Sequence, residues 1–223
     1  MSETVAYLRP TPFQRAAEVV VRAWFAGIAR VRIDVPEDLP RQGGLLVVAN
    51  HTSNMDPPLV GGYLQRAIGR PVQFMAKEQV FVPPLTPWLR RLGAIRVAAG
   101  GRDVEAYRAG RAVLAAGGVV CIFPEGTRSP TGALIEAHPG VTLLAARTRV
   151  PVLPVGIGGA QRLLPKGGRV PRIGTCVTIR VGEPFHVTLD RSLPRREAIQ
   201  LASDELMGRI AALLPPEQRG RYG

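Results

Sequence analysis

The chain has 223 residues, 46% hydrophobic and 21% charged, with 29 basic against 17 acidic side chains and a net charge of +12. This composition excludes a disordered chain, and the length predicts one domain whose core needs no metal or disulfide. A field of +12 attracts anions, but aromatics are only 5% and no basic run is interleaved with them, so anionic lipid or phosphorylated ligands are expected rather than single-stranded nucleic acid.

Residues 13–32 come first. Phe13, Ala17, Val20, Val21, Trp24 and Ile28 recur at helical spacing, with Arg15, Arg22, Arg30 and Arg32 among them. This pattern predicts an amphipathic helix suited either to a membrane interface or to packing on the rest of the protein. Residues 45–49 read as a buried strand. Asp56-Pro57-Pro58 then reads as a helix start, Asp at the cap and Pro in the first turn, running to about Ile68. Strand 72–75, a short helix 84–92 and strand 94–97 follow. Residues 103–116 predict a helix closed by Gly117-Gly118. The clearest buried strand is 119–123, then helix 139–148, strands 152–156 and 177–181, and a C-terminal helix over 192–214. Strands alternating with helices predict an α/β fold: a single domain with a central, mostly parallel or mixed sheet flanked by helices. Ligands in such sheets sit beyond the carboxyl ends of strands, so chemistry is expected in the loops after Ala49, Val97, Phe123 and Val155.

Other signals are negative. No apolar run reaches the ~18 residues of a transmembrane helix. The N-terminus, with Glu3 and no basic-then-apolar stretch, gives no expectation of a cleaved leader. Cys121 and Cys176 lack the spacing of a zinc site or a disulfide framework, so free thiols and no metal are expected. Gly156-x-Gly158-Gly159 follows a strand, but no acidic residue stands at the distance a dinucleotide loop needs. Only Lys77 and Lys166 are lysines, leaving 27 of the 29 basic residues as arginines, so an Arg is not read as functional merely for being present.

Two loops carry chemistry. The first reads Asn50-His51-Thr52-Ser53-Asn54-Met55-Asp56. Across a tight turn, the Asp56 carboxylate can reach one nitrogen of His51, fix its tautomer and leave the other nitrogen to take a proton. That is the base and its orienter without a nucleophile. Ser53 lacks a nucleophile elbow and is expected to bond the turn backbone. A substrate alcohol, deprotonated by His51, can then attack an acyl donor directly. The second loop reads Phe123-Pro124-Glu125-Gly126-Thr127-Arg128-Ser129. Gly126 permits close backbone approach, Arg128 offers a planar fork for phosphate, and Thr127 and Ser129 offer hydroxyls.

The spaced pair, NHTSNMDP and some seventy residues later FPEGTRS, resembles the glycerophospholipid acyltransferase family, which includes the 1-acyl-glycerol-3-phosphate acyltransferases. The resemblance runs from about Val47 to Val181. It includes the block Val150-Pro151-Val152-Leu153-Pro154-Val155 and the segment Ala76-Lys77-Glu78 before Phe81. It implies acyl transfer from acyl-CoA or acyl carrier protein to a lipid hydroxyl, with His51 and Asp56 catalytic. Glu125, Gly126, Thr127 and Arg128 are implied to bind substrate, joined by Lys77 and Arg96. The implied acceptor is 1-acyl-glycerol-3-phosphate, giving phosphatidic acid; glycerol 3-phosphate, a lyso-aminolipid or a glycolipid are alternative acceptors. A basic lipid- or nucleic-acid-binding module without catalysis is the distant alternative. No cofactor or metal is implied. Residues 1–35 are read as an N-terminal membrane-associating segment and 36–223 as the acyltransferase domain, peripheral on the cytoplasmic face of the cell membrane and without a nucleic-acid partner. Two positions depart from the family pattern: Ala99 stands where an Arg is usual, with Arg96 or Arg102 nearby, and His138 stands where a Lys commonly precedes Pro139-Gly140.

Overall fold

The computed structural model describes residues 6–98 and 104–223. Glu3, Ala99, Arg102 and Asp103, on which expectations above rest, lie outside the described residues. Helix α1 spans Pro12–Ile28 and opens on a capping box in which Thr11 and Gln14 bond each other's backbone N–H. Strand β1, Ala29–Asp34, follows at once. This corrects the helix predicted over 13–32. At Ala29 the period changes from helical to two, with Ala29, Val31 and Ile33 turned inward and Arg30, Arg32 and Asp34 exposed. Residues 29–34, inside the segment read as membrane-associating, therefore belong to the sheet.

Strand β2 (Leu45–Ala49) is buried at every position, because Leu45, Val47 and Ala49 pack on one face of the sheet and Leu46 and Val48 on the other. The helix expected from Asp56 is a composite. Helix α2 (Asp56–Leu59) passes into a π turn over Val60–Leu64 and then α3 (Gln65–Ile68), ended by Gly69 in the left-handed region. There follow β3 (Val72–Lys77), α4 (Leu85–Leu92), β4 (Ile95–Val97), α5 (Val104–Ala115), β5 (Val119–Ile122), α6 (Pro139–Thr148), β6 (Val152–Gly158), the short α7 (Ala160–Leu163), β7 (Thr175–Val181) and α8 (Arg195–Ala211).

The seven strands lie in the order β1-β7-β6-β2-β5-β3-β4. All neighbours are parallel except β6 and β7. One apolar core, with Phe25, Leu64 and Leu163, lies between one face and α1, α3 and α7. The other, with Leu114, Leu144 and Leu206, lies under α5, α6 and α8. Cys121, buried, and Cys176, exposed, are free thiols.

The glycines of β6 have a packing reason. A Cβ on Gly156 would lie 2.6 Å from Leu213 Cβ and 3.0 Å from its backbone, so the segment after α8 can rest on the sheet only because Gly156 has no side chain. Gly156→Val is expected to lower stability by about 1–3 kcal/mol through overpacking. Gly208→Ala, on α8 with no atom within 4 Å of the added methyl, is expected to raise it by up to about 1 kcal/mol. Urea midpoints at unchanged slope check both.

Candidate active site

Strands β2 and β5 are parallel and in register, Val48 opposite Ile122. Their carboxyl ends therefore open side by side, and the loops that follow touch. The His51 N–H donates to Glu125 Oε1 at 2.7 Å, and the Ser129 N–H donates to the His51 carbonyl at 2.8 Å. At the start of the first loop, buried Asn50 is clamped to β6: its amide donates to the Ile157 carbonyl at 3.0 Å and accepts the Ile157 N–H at 2.7 Å. Sequence reasoning passed over Asn50, whose only signal was its place at a strand end inside the motif.

Asp56 is fully buried, and it turns back on its own loop rather than capping the helix that it opens. Its Oδ2 accepts the Thr52 N–H at 2.6 Å, the Ser53 N–H at 2.7 Å and His51 Nδ1 at 2.9 Å. An oxygen already accepting two N–H bonds is an acceptor toward the ring as well. Nδ1 is thus the donor, and in the neutral ring Nε2 is the nitrogen with the lone pair. Nε2 has no hydrogen bond among the described residues, and the side chain stays 18% exposed. The ring lies on Phe123, centroids 4.3 Å apart and planes 22° from parallel. Phe123 in turn stacks on Phe74 of β3 at 6.5 Å.

Ser53 is no nucleophile. It is fully buried, its Oγ donates to the Leu164 carbonyl at 2.8 Å, and it accepts the Met55 N–H at 3.2 Å. It braces the turn, as expected. Among the described residues no group of three or more His, Cys, Asp or Glu is placed to hold a metal ion.

Glu125 is 1% exposed. Both of its oxygens face backbone: Oε1 takes the His51 N–H, and Oε2 takes the Ile135 N–H at 3.2 Å. Burial pushes its carboxyl up to about 7, the two N–H bonds hold it down, and the Asp56 carboxylate adds to the rise. The geometry is that of a brace for the His51 loop rather than of a group offered to a ligand. Gly126 has φ +64°, the left-handed region, and the His138 ring lies over its Cα. Thr127 is exposed and Arg128 half-buried, and Arg128 forms no ion pair among the described residues.

Lys77 ends β3 and Arg96 is the middle residue of β4, strands whose carboxyl ends lie at the same edge of the sheet as that of β2. The structure does not bring Arg96 to the cluster. At ~4.8 Å per strand, β4 lies roughly 14 Å from β2, and the Arg96 guanidinium pairs with Glu78 at 2.9 Å. Exposed Lys77, on the strand between, is roughly 10 Å from β2 by the same spacing.

The acyltransferase family model matches residues 30–158. The chain is 27% identical over 184 residues to the chloroplastic 1-acyl-sn-glycerol-3-phosphate acyltransferase of Arabidopsis thaliana, covering 78% of this chain and 50% of that protein. It is 26% identical over 221 residues to the 1-acyl-sn-glycerol-3-phosphate acyltransferase of Pseudomonas aeruginosa, covering 93% and 83%. The crystal structure of the 1-acyl-sn-glycerophosphate acyltransferase PlsC from Thermotoga maritima has TM-score 0.65 and 29% identity, covering 86% of this chain and 78% of that one. This chain thus spans about half the length of the plant and algal relatives that it matches, or less.

The raised Glu125 carboxyl has a signature in stability. Its unfolded value is near 4.5, so between pH 4.5 and about 7 the folded state keeps a proton that the unfolded chain has released. The stabilisation from that proton is full below about 4.5 and is lost as pH rises to about 7. Glu125→Gln is expected to remove this slope, and also to cost about 1–3 kcal/mol because its amide cannot accept the second N–H. Urea unfolding across this pH range, wild type minus variant, checks both.

Proposed function

This chain belongs to the acyltransferase family, and from that premise we propose that it transfers a fatty acyl group from a thioester, acyl-CoA or acyl carrier protein, to the free hydroxyl of 1-acyl-glycerol-3-phosphate. The observation that carries the reading is the His51–Asp56 pair, with Nε2 free of hydrogen-bond partners among the described residues and the nearby Ser53 hydroxyl tied to the Leu164 carbonyl. Nε2 takes the proton of the acceptor hydroxyl as its oxygen attacks the thioester carbonyl. Asp56 holds the ring and offsets the charge that it gains. The tetrahedral intermediate collapses, the carbon–sulfur bond breaks, and the imidazolium returns its proton to the departing thiolate. No acyl-enzyme forms, and no metal or redox cofactor enters these steps. The names of the relatives support this acceptor.

In this reading the protein docks peripherally on anionic lipid at the cytoplasmic face of the cell membrane. Among the described residues no helix is long and apolar enough to cross a membrane. Support comes from the outward face of α1, where Val20 is 67% and Trp24 45% exposed, while Phe25 anchors the helix in the core. Helix α4 extends that surface: Trp88 is 55% exposed and packs against Phe13 at 5.3 Å. Apolar side chains flanked by Arg15, Arg90 and Arg91 suit an anionic interface.

His51→Ala is expected to lower kcat/KM by about 10²–10⁴-fold, and Ser53→Ala to leave kcat within about tenfold, read as thiol release from palmitoyl-CoA in the presence of 1-oleoyl-glycerol-3-phosphate. Equal rates in wild type and His51→Ala would remove the mechanism. Val20→Glu with Trp24→Glu is expected to abolish co-sedimentation with phosphatidylglycerol vesicles while circular dichroism is unchanged. Undiminished sedimentation counts against this docking face.

A further inference from the structure

We infer that residues 165–174, between α7 and β7, form a second membrane-inserting element: Val170 and Ile173 sink into the interface of an anionic bilayer while Arg169 and Arg172 meet its phosphates. The inference rests on the peripheral-docking reading and not on the chemistry at His51. Val170 and Ile173 are each 78% exposed, more than Val20 or Trp24 on α1. Single apolar side chains on a surface are ordinary, but this pair is not solitary. The run reads Arg169-Val170-Pro171-Arg172-Ile173, with a cation before each apolar residue or its proline. No Asp or Glu stands between Glu136 and Glu183 in the chain. Among the described residues Arg169 and Arg172 form no ion pair, whereas Arg162, just before the segment, pairs with Glu217 at 3.9 Å.

The segment is held by its own backbone. The Gly168 N–H donates to the Pro165 carbonyl at 2.9 Å and closes a turn. The Arg172 N–H donates to the Leu163 carbonyl at 2.8 Å, and the Thr175 hydroxyl donates to the Arg172 carbonyl at 2.6 Å. Two β-branched side chains are thus kept in water by a chain that is already ordered. Moving them into an interface removes their apolar area from water at little further cost in loop entropy.

Its anchors place it beside the active site. At its start, the Leu164 carbonyl accepts the Ser53 hydroxyl at 2.8 Å, and Lys166 Nζ donates to the Arg128 carbonyl at 2.8 Å. The segment therefore departs from the loops around His51. At its end, the Gly174 N–H donates to the carbonyl of Ile28, the last residue of α1, at 2.8 Å. Exposed Trp24 lies one turn earlier, about 6 Å along the helix. The segment thus continues from the helix whose outward face is apolar. Arginine stems cover apolar surface while their heads reach phosphate, which suits the two cations here to a headgroup layer.

The test is co-sedimentation with phosphatidylglycerol vesicles over a lipid titration. Val170→Ser with Ile173→Ser is expected to weaken partition about tenfold or more, and Val170→Leu with Ile173→Leu to keep the wild-type value, because apolar area is what the interface takes. Arg169→Gln with Arg172→Gln is expected to weaken partition about tenfold and to flatten its dependence on ionic strength. Circular dichroism is expected to be unchanged in all three. Equal partition of wild type and the serine variant overturns the inference. If Val20→Glu with Trp24→Glu still abolishes binding in that case, the docking reading survives without it. Loss of a wild-type self-association in the serine variant, read by sedimentation velocity at equal vesicle partition, assigns the patch to a second copy of the chain and overturns the lipid assignment. If wild type itself does not sediment with the vesicles, the docking reading fails and this inference falls with it.

Discussion

The parallel, in-register pairing of β2 with β5 brings together two loops some seventy residues apart in the chain. Once Val48 stands opposite Ile122, the carboxyl ends emerge within one strand spacing of each other, and His51, Glu125 and Ser129 can share backbone hydrogen bonds. Burial on both faces makes this register costly to change, since a slip of one residue would exchange the residues packed in the two cores. The position of the imidazole therefore derives from aliphatic packing in the middle of the sheet.

On that apolar frame stand two buried carboxylates, in a chain whose net charge is +12. A buried carboxylate is costly unless donors reach it, and of the four oxygens only Asp56 Oδ1 has no partner among the described residues. Here the donors are mostly backbone N–H groups, which cannot swing away. Asp56 gathers Thr52, Ser53 and the imidazole on one oxygen, so the loop is wrapped around it and the ring takes one orientation. Glu125 spreads its two bonds over His51 and Ile135 and joins the His51 loop to the segment leading toward α6. Burial, offset in part by these two N–H bonds and reinforced by the neighbouring Asp56 carboxylate, leaves its carboxyl near 7. Both acids act on position, and the second ring nitrogen of His51 is left without a hydrogen bond among the described residues.

Helix α1 serves two surfaces at once. Phe25 is sealed in the core and touches Tyr63, while Val19, Val20 and Trp24 face outward. Directly after it the chain becomes β1, which pairs with β7 and closes one edge of the sheet. The helix is thus fixed at its C-terminal end by strand pairing, and near its N-terminal end by Phe13 against Trp88 and by Gln14, whose amide donates to the Leu92 carbonyl at 3.3 Å. An outward apolar face on so rigid a mount keeps its orientation relative to the active-site loops.

The sequence by itself determined most elements and the pairing of His51 with Asp56. Apolar runs such as 45–49 and 119–123 read as buried strands, Gly117-Gly118 reads as a helix stop, and His51 with Asp56 across a tight turn leaves little freedom for either side chain. The misread segment, 29–32, continued an arginine-rich helix in composition while its period had already changed to two. Tertiary structure decided what local pattern cannot encode. The antiparallel return of β7 beside β6 depends on which strand edge was open. Arg96 was placed by Glu78, eighteen residues away, and Glu125 was turned inward by N–H groups that arrive from other loops. Lys166 came to the Arg128 carbonyl by the path of the chain after α7. Periodicity reports which face of an element is buried, whereas the partner a polar side chain meets depends on how the elements are assembled.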